Sequence, residues 1–300
     1  MECDGDALVV FNFHTLPAPD GLPPRLSRDF LLPWHAPFGE WLLGVRGNYA
    51  YAASVESVFF AELLRHGFFI LPTEGTQIFS CPFPRKPYVF KLQEPIVRPG
   101  REQELAPGTT WRRCKMLRRY GGQFQISCNS SLRAHLQLCN DYHEARSGSW
   151  MSAQFIDAIM KIHEDSGNGI KVYGFELWEK STGRLAAASF GLAIGTFFHD
   201  FSMCSLIKDR RSAGAILSKA IGALLTECGI QDWYWGCKSK YMADYEAHGA
   251  REISRGEYYA RLRSAVRQSL PIDPEEALRE GRAPIAPRPA NGVGPEGEGI

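Results

Sequence analysis

The stretch Val172 to Ser205 reads VYGFELWEKSTGRLAAASFGLAIGTFFHDFSMCS, and its periodicity decides the fold. KVYGFELW alternates with period two, EKSTG is a turn, and RLAAASFGLAIGTFF is a long run of small and β-forming residues. Two antiparallel strands joined by a short turn follow from that pattern. FHDFSMCS then reads as a third strand. Ser212 stands where an N-cap is expected for a helix over about 213 to 227, with Gly229 as its stop, and DWYWGC gives the next strand. Upstream, residues 151 to 165 set Phe155, Ile156, Ile159, Met160 and Ile162 on one helical face.

Hairpin, third strand, helix, strand is the order of an N-acetyltransferase-like sheet. The expected fold class is therefore α/β: a mixed sheet flanked by helices, with a smaller N-terminal region. Within that region, residues 52 to 66 place Val55, Phe59, Leu63 and Leu64 on one helical face before Gly67. Residues 15 to 39 are Pro-rich and irregular around Trp34, and residues 95 to 110 read as an insertion or linker. QFQISCN predicts a strand and SLRAHLQLCNDYHEA a helix. From Pro271 onward Pro, Gly and Glu dominate, which predicts a disordered tail. The expected organisation is 1–110 as the N-terminal region, 111–270 as the main domain and 271–300 as the tail.

With 300 residues and 44% hydrophobic content the chain can bury a sizeable core. Its net charge of +1 means that nucleic acid would be met by a local patch, not by a basic body. The densest such patch is WRRCKMLRRY, Trp111 to Tyr120, carrying Arg112, Arg113, Lys115, Arg118 and Arg119. Eight cysteines, scattered from Cys3 to Cys237 without metal-ligand spacing, suit a reducing compartment. The start MECDGDALVVFNF lacks a basic leader, and no apolar run reaches the ~18 residues of a membrane span. A soluble cytoplasmic protein without membrane partners is expected.

Two motifs carry a specific likeness. Gly191, Ala193, Gly195 and Thr196 followed by Ser202 and Met203 form one block; Gly249, Ala250, Glu252, Ile253, Arg255 and Tyr258 form another. Together they resemble leucyl/phenylalanyl-tRNA-protein transferases, whose Gly-x-Ala-x-Gly-Thr run precedes a Ser-Met pair and, later, a Gly-Ala-x-Glu-Ile-x-Arg segment. Trp150 in SGSWMS and the CPFPR segment at Pro82, Pro84 and Arg85 add weaker matches, so that the resemblance spans roughly 50–95 and 112–265.

The resemblance implies transfer of an aminoacyl group from a charged tRNA to the free amine of a protein or peptide N-terminus, a tag that feeds degradation. It implies no cofactor and no metal. It places Gly191, Ala193, Gly195, Thr196 and Met203 along the pocket for the amino-acid side chain and terminal adenosine, with Trp150 stacking on the base. The basic run would hold the tRNA backbone.

The sequence departs from the family at the acidic positions. The family's Glu before Ser-Met is Phe201 here, with Asp200 beside it; a bulge would be needed to bring Asp200 to the same sheet face. The family's Asp-x-Gln pair falls on Cys237 and Ser239 when counted back from Gly249, or on Asp232 and Tyr234 when counted forward from Gly229. Candidate catalytic residues are thus Asp200, Ser202, Asp232, Tyr234, Cys237 and Ser239. Tyr234, Trp235, Gly236, Lys238 and Tyr241 also carry a fainter similarity to arginyl-tRNA-protein transferases. His199 and His248 are further candidate bases.

Two rival readings stay open. A coenzyme A-dependent N-acyltransferase would use a pyrophosphate loop ahead of the helix, where Arg211 and Gly214 fit and Ile216 does not. A non-catalytic module would bind a tRNA end or a basic peptide terminus through Asp200, Asp232 or Glu246.

Overall fold

The computed structural model describes residues 9–10, 49–52, 57–72, 79–82, 84–97 and 104–289. The seven-stranded sheet at its centre is built from β1 (Pro87–Lys91), β2 (Phe124–Cys128), β3 (Ile170–Glu179), β4 (Leu185–Ile194), β5 (Phe197–Ser205), β6 (Asp232–Cys237) and β7 (Ala250–Glu252). Their spatial order is β7-β1-β6-β5-β4-β3-β2. Every pairing is antiparallel except β5 with β6, which run parallel because a helix, α4 (Ala213–Glu227), crosses between them. The expected hairpin–strand–helix–strand order is present; β4 ends at Ile194, four residues before the end of the run read as strand, because Gly195, φ 58°, turns the chain into β5.

Helices cover both faces. On one face lie α1 (Ser57–Arg65), α2 (Leu132–Ser147) and α3 (Ala153–Glu164), around Phe60, Leu136, Phe155 and Ile159 from the helices and Phe190 and Leu192 from β4. Ser152 caps α3 by accepting from the Phe155 amide at 3.2 Å. The residues predicted for the α1 face, Phe59, Leu63 and Leu64, are buried; Val55 and the Pro-rich segment around Trp34 lie outside the described residues.

The other face belongs to α4, whose Ile216, Leu217, Ala220, Ile221 and Leu224 sit on the sheet. Gly222 lets the Trp111 ring lie directly on this helix: a Cβ there would stand 2.7 Å from the indole. Ser212 does not cap α4 through its side chain. It adopts a left-handed backbone, φ 53°, and only its carbonyl serves, accepting from the Ile216 amide at 3.0 Å.

Three expectations about organisation need correction. The region 1–110 contributes β1, a strand inside the main sheet, so no core boundary falls at 110. The 95–110 linker holds a small hairpin, Ile96–Val97 with Glu104–Leu105, and the start of the helix Thr109–Arg112.

The tail, expected to be disordered from 271, is ordered through 289. Asp273 caps α6 (Pro274–Arg279) by accepting from the Glu275 amide at 2.8 Å, and binds Lys171 and Tyr173 on β3 at 2.9 and 3.0 Å. Leu278 and Ile285 are buried. Beyond them Ile126 of the edge strand β2 donates to Ala286 and accepts from Arg288, so the chain closes the open sheet edge with backbone bonds that composition cannot reveal. Residues 290–300 lie outside the described set.

Leu278→Ala tests that correction. A buried leucine in an ordered segment costs about 2 to 4 kcal/mol on truncation, whereas one in a disordered tail costs nothing. A urea melt showing no change in midpoint would return the segment to disorder.

Candidate active site

The only parallel neighbours in the described sheet, β5 and β6, pair at three positions: Phe197 with Asp232, Phe198 with Trp233, and His199 with Tyr234. No ladder joins them further on. Two local irregularities drive the parting. Opposite β4 the register slips between Phe190 and Gly191, leaving Phe201 as an extra residue, and β6 slips against β1 between Tyr234 and Cys237 at Gly236, φ 76°. Asp200 to Met203 on one strand and Trp235 to Cys237 on the other therefore border the point of divergence.

The bulge decides which side chains share a face. Because Ser202 pairs with Phe190 and His199 with Leu192, both face the α1–α3 side, and Phe201 joins them. Asp200 pairs with Gly191 and faces α4 instead. The bulge does exist, but it separates Asp200 from Phe201.

On the α1–α3 side an aromatic cluster surrounds Phe201. Phe69 stacks on it at 4.7 Å, His199 lies at 4.5 Å and Trp150 at 6.2 Å; Tyr234 meets His199 at 4.7 Å. Burial lowers the His199 pKa to about 3, so the imidazole stays neutral, and its Nε2 has no hydrogen-bond partner among the described residues. A base working near neutral pH is not what this position supplies. Burial raises the Tyr234 phenol well above its ordinary range, reinforced by Tyr258 and Cys237.

Ser202 stands apart from this apolar cluster. Its Oγ lies 2.7 Å from Nε2 of His143, a half-buried residue of α2, while its carbonyl accepts from Ser189 Oγ at 3.1 Å. No motif in the sequence singles out His143. The available signal was its spacing: His135, Cys139 and His143 continue one stripe of α2 at i, i+4, i+8 toward the sheet.

The remaining candidates divide plainly. Asp232 is buried and ion-paired with Arg261 at 2.7 Å, which also holds Glu94; burial raises its pKa against that pairing. It is occupied as a tie between β6 and α5 (Arg255–Ala265). Cys237 is half-buried at the end of β6 and close enough to Tyr234 to act on its charge. Ser239 opens the 3-10 helix Lys240–His248, its amide donating to Met242 Sδ at 3.4 Å. His248 stacks flat on Trp111 at 4.2 Å, as a core group.

The small-residue strand does not line an open groove at its glycines. A Cβ on Gly191 would fall 2.4 Å from the Phe198 ring, and one on Gly195 would fall 2.1 Å from the Ala265 carbonyl. The chain's own atoms fill those places, so the expected pocket role of Gly191 and Gly195 gives way to packing. Ala193 is buried with the α4 core; Thr196 ties the turn through its amide to Ala265 at 3.2 Å. Met203 touches Ser218 of α4 at 3.6 Å, and Trp150 is partly buried on the aromatic cluster.

The basic run is more open. Arg113, Lys115, Arg118 and Arg119 are exposed, whereas Arg112 is tied to Glu227 and to the Arg282 carbonyl, both at 2.9 Å. The coenzyme-loop residues are engaged internally: Arg211 pairs with Glu179 and Asp209, and a Cβ on Gly214 would press on Ser205 at 3.2 Å.

With both motif blocks thus placed on β4–β5 and on β7–α5, comparison with known proteins is decisive. The model of the leucyl/phenylalanyl-tRNA protein transferase family matches residues 108–263. The chain belongs to that family. Its relatives of that name include one from Anaeromyxobacter sp. strain K, 25% identical over 49% of this chain and 58% of the relative. One from Methylococcus capsulatus is 28% identical over 51% and 59%, and one from Paramagnetospirillum magneticum 28% over 50% and 66%. The match to the first of these thus spans less than three fifths of that relative's length. Solved structures overlap more loosely: a probable N-acyltransferase from Enterococcus faecalis is 12% identical, covers 73% of this chain and 47% of its own, and has a TM-score of 0.35.

Asp200 offers a direct electrostatic check. Part of its surface stays open, yet the protein packed around the carboxyl raises its pKa to about 8, with Trp233 and Ser189 opposing that shift. An unfolded aspartate ionises near pH ~4, so between that pH and about 8 the folded chain holds the extra proton. Stability must fall as pH rises through that window and level off above it. In Asp200→Asn the fall disappears, and the variant gains on the parent by up to about 1.4 kcal/mol per pH unit. Parallel urea-melt profiles of the two from pH 5 to 9 would contradict the assignment.

Proposed function

We propose that this family member transfers a leucyl- or phenylalanyl-type aminoacyl group from charged tRNA to the amino terminus of proteins, in the cytoplasm, marking them for degradation. The observation that carries the reading is the divergence of β5 from β6 after His199 and Tyr234, with the family's Ser-Met pair bordering the opening. Beyond His199 and Tyr234 no ladder joins the two strands, and an ester already activated toward amines needs mainly alignment and proton removal there. The exposed cations Arg113, Lys115, Arg118 and Arg119 provide a backbone-binding surface on the same chain.

A second reading is favoured by Phe201, which stands where the family has Glu: a module that binds a tRNA end or peptide terminus without catalysis. Among the described residues no helix is long and apolar enough to cross a membrane.

The two are separated by incubating the full chain with an Arg-ending reporter peptide and Leu- or Phe-charged tRNA. Labelled peptide is expected. Binding of tRNA without transfer selects the module, and label taken only from acetyl coenzyme A sinks both. In the same preparation, replacing Arg113, Lys115, Arg118 and Arg119 by Gln lowers the salt dependence of tRNA binding by a slope of about 3. An unchanged slope removes the basic run from the interface.

A further inference from the structure

We propose that Ser202 and His143 form the proton relay that activates the incoming amine, in place of the family's acidic residues; this rests on the transferase reading above. Ser202 Oγ and His143 Nε2 lie at hydrogen-bond distance, 2.7 Å, and bring together a strand and a helix 59 positions apart in the chain. Ser202, of the Ser-Met pair, is 8% exposed and lies on β5 just past its last pairing with β6 at His199; of the two groups it is the one placed to touch the reacting atoms. His143 reaches them only through Ser202. Phe201, where the family has an acid, has no carboxylate; the family's Asp-x-Gln pair falls on Cys237 and Ser239 in one register and on Asp232 and Tyr234 in the other, and Asp232 is paired with Arg261 while Asp200 is turned to α4. A base supplied from α2 fills that vacancy.

The step balances without any further reactant. The peptide amine attacks the ester carbonyl and the new C–N bond forms; its surplus proton moves to Ser202 Oγ as the Ser202 proton moves to His143 Nε2. The C–O bond to the ribose then breaks, and the proton returns from His143 through Ser202 to the leaving ribose oxygen. Serine and histidine end as they began.

The surroundings keep His143 ready to accept. Burial, and then the Arg146 guanidinium, lower its pKa, so it is neutral at physiological pH. Arg146 and Lys208 are the cations around it, both over the Tyr142 ring at 3.5 and 5.8 Å, and Tyr142 meets His143 edge-on at 5.3 Å. One turn back on α2, the Cys139 thiol bonds Cys204 of β5 at 3.7 Å; Glu144 turns to the Ser149 amide at 2.7 Å. No carboxylate contacts the imidazole among the hydrogen bonds and ion pairs of the described residues.

The test compares the full-length parent with Ser202→Ala, His143→Ala and His143→Gln, assaying transfer from charged tRNA together with tRNA affinity and melting temperature. Both Ser202→Ala and His143→Gln should lose about 100-fold in kcat, with KM and tRNA affinity unchanged. The His143→Gln rate should climb with pH where the parent has levelled off, and added imidazole should restore His143→Ala. Glutamine keeps a hydrogen bond to Ser202 but accepts no proton, so a fully active His143→Gln overturns the relay while leaving the transferase reading standing. An active Ser202→Ala does the same. No transfer by the parent overturns both.

Discussion

Between Phe190 and Gly191 the register of β4 against β5 slips by one residue, and most of what the site can do follows from that slip. Without it, strict alternation would send Ser202 to the α4 side together with Asp200, and His199 would face the aromatic cluster with no polar neighbour on its own strand. The extra residue at Phe201 places Phe201 and Ser202 side by side on the α1–α3 face. It leaves Asp200 on the other. A second slip, at Gly236, interrupts the pairing of β6 with β1 between Tyr234 and Cys237, just beyond the last pair of β6 with β5. Bulges bend strands and sharpen twist, which is why the only parallel pair in the described sheet parts after three positions.

That geometry redistributes charge. A carboxylate at Phe201 would sit among Phe69, Phe155, Phe190 and Trp150, and here the place is apolar. The two acids near the junction are held elsewhere: Asp232 by Arg261, and Asp200 in a dense recess under α4 that favours its neutral form. Proton transfer at the opening must then come from a group that is neutral yet basic. His199 is too deeply desolvated for that, whereas His143, half-buried beside an arginine, is lowered more gently.

The sheet order and most of its helices could be read from periodicity, because period-two strands and the apolar stripes of α3 and α4 are written in contiguous residues. What escaped depends on partners far away in sequence. The order of 271–289 rests on backbone bonds to Ile126 and on Asp273 reaching β3, neither of which leaves a local pattern. The Ser202–His143 contact is likewise invisible to a scan for neighbouring catalytic residues. At Gly191 and Gly195 the residue type was informative about close approach and silent about what approaches: here Phe198 and the Ala265 carbonyl.

The second motif block shows the same division between recognition and role. Gly249 to Tyr258 identify the family, yet their contacts are architectural. Ile253 donates its amide to Pro87, Arg255 donates its amide to Arg85 and its Nε to the Pro84 carbonyl, and Tyr258 reaches the Gly67 carbonyl at 3.1 Å. These bonds fasten β7 to β1 and α5 to the end of α1, and so hold the segment carrying Phe68 and Phe69 against the aromatic cluster. Burial and Arg85 lower the Arg255 pKa to about 10, a cost that a purely packed edge would avoid. Phe69 meets Phe201 and His199 of β5 at 4.7 and 5.2 Å, and the fixed edge holds it there. The motif matters to the site as the brace that keeps its aromatic wall in register with Ser202.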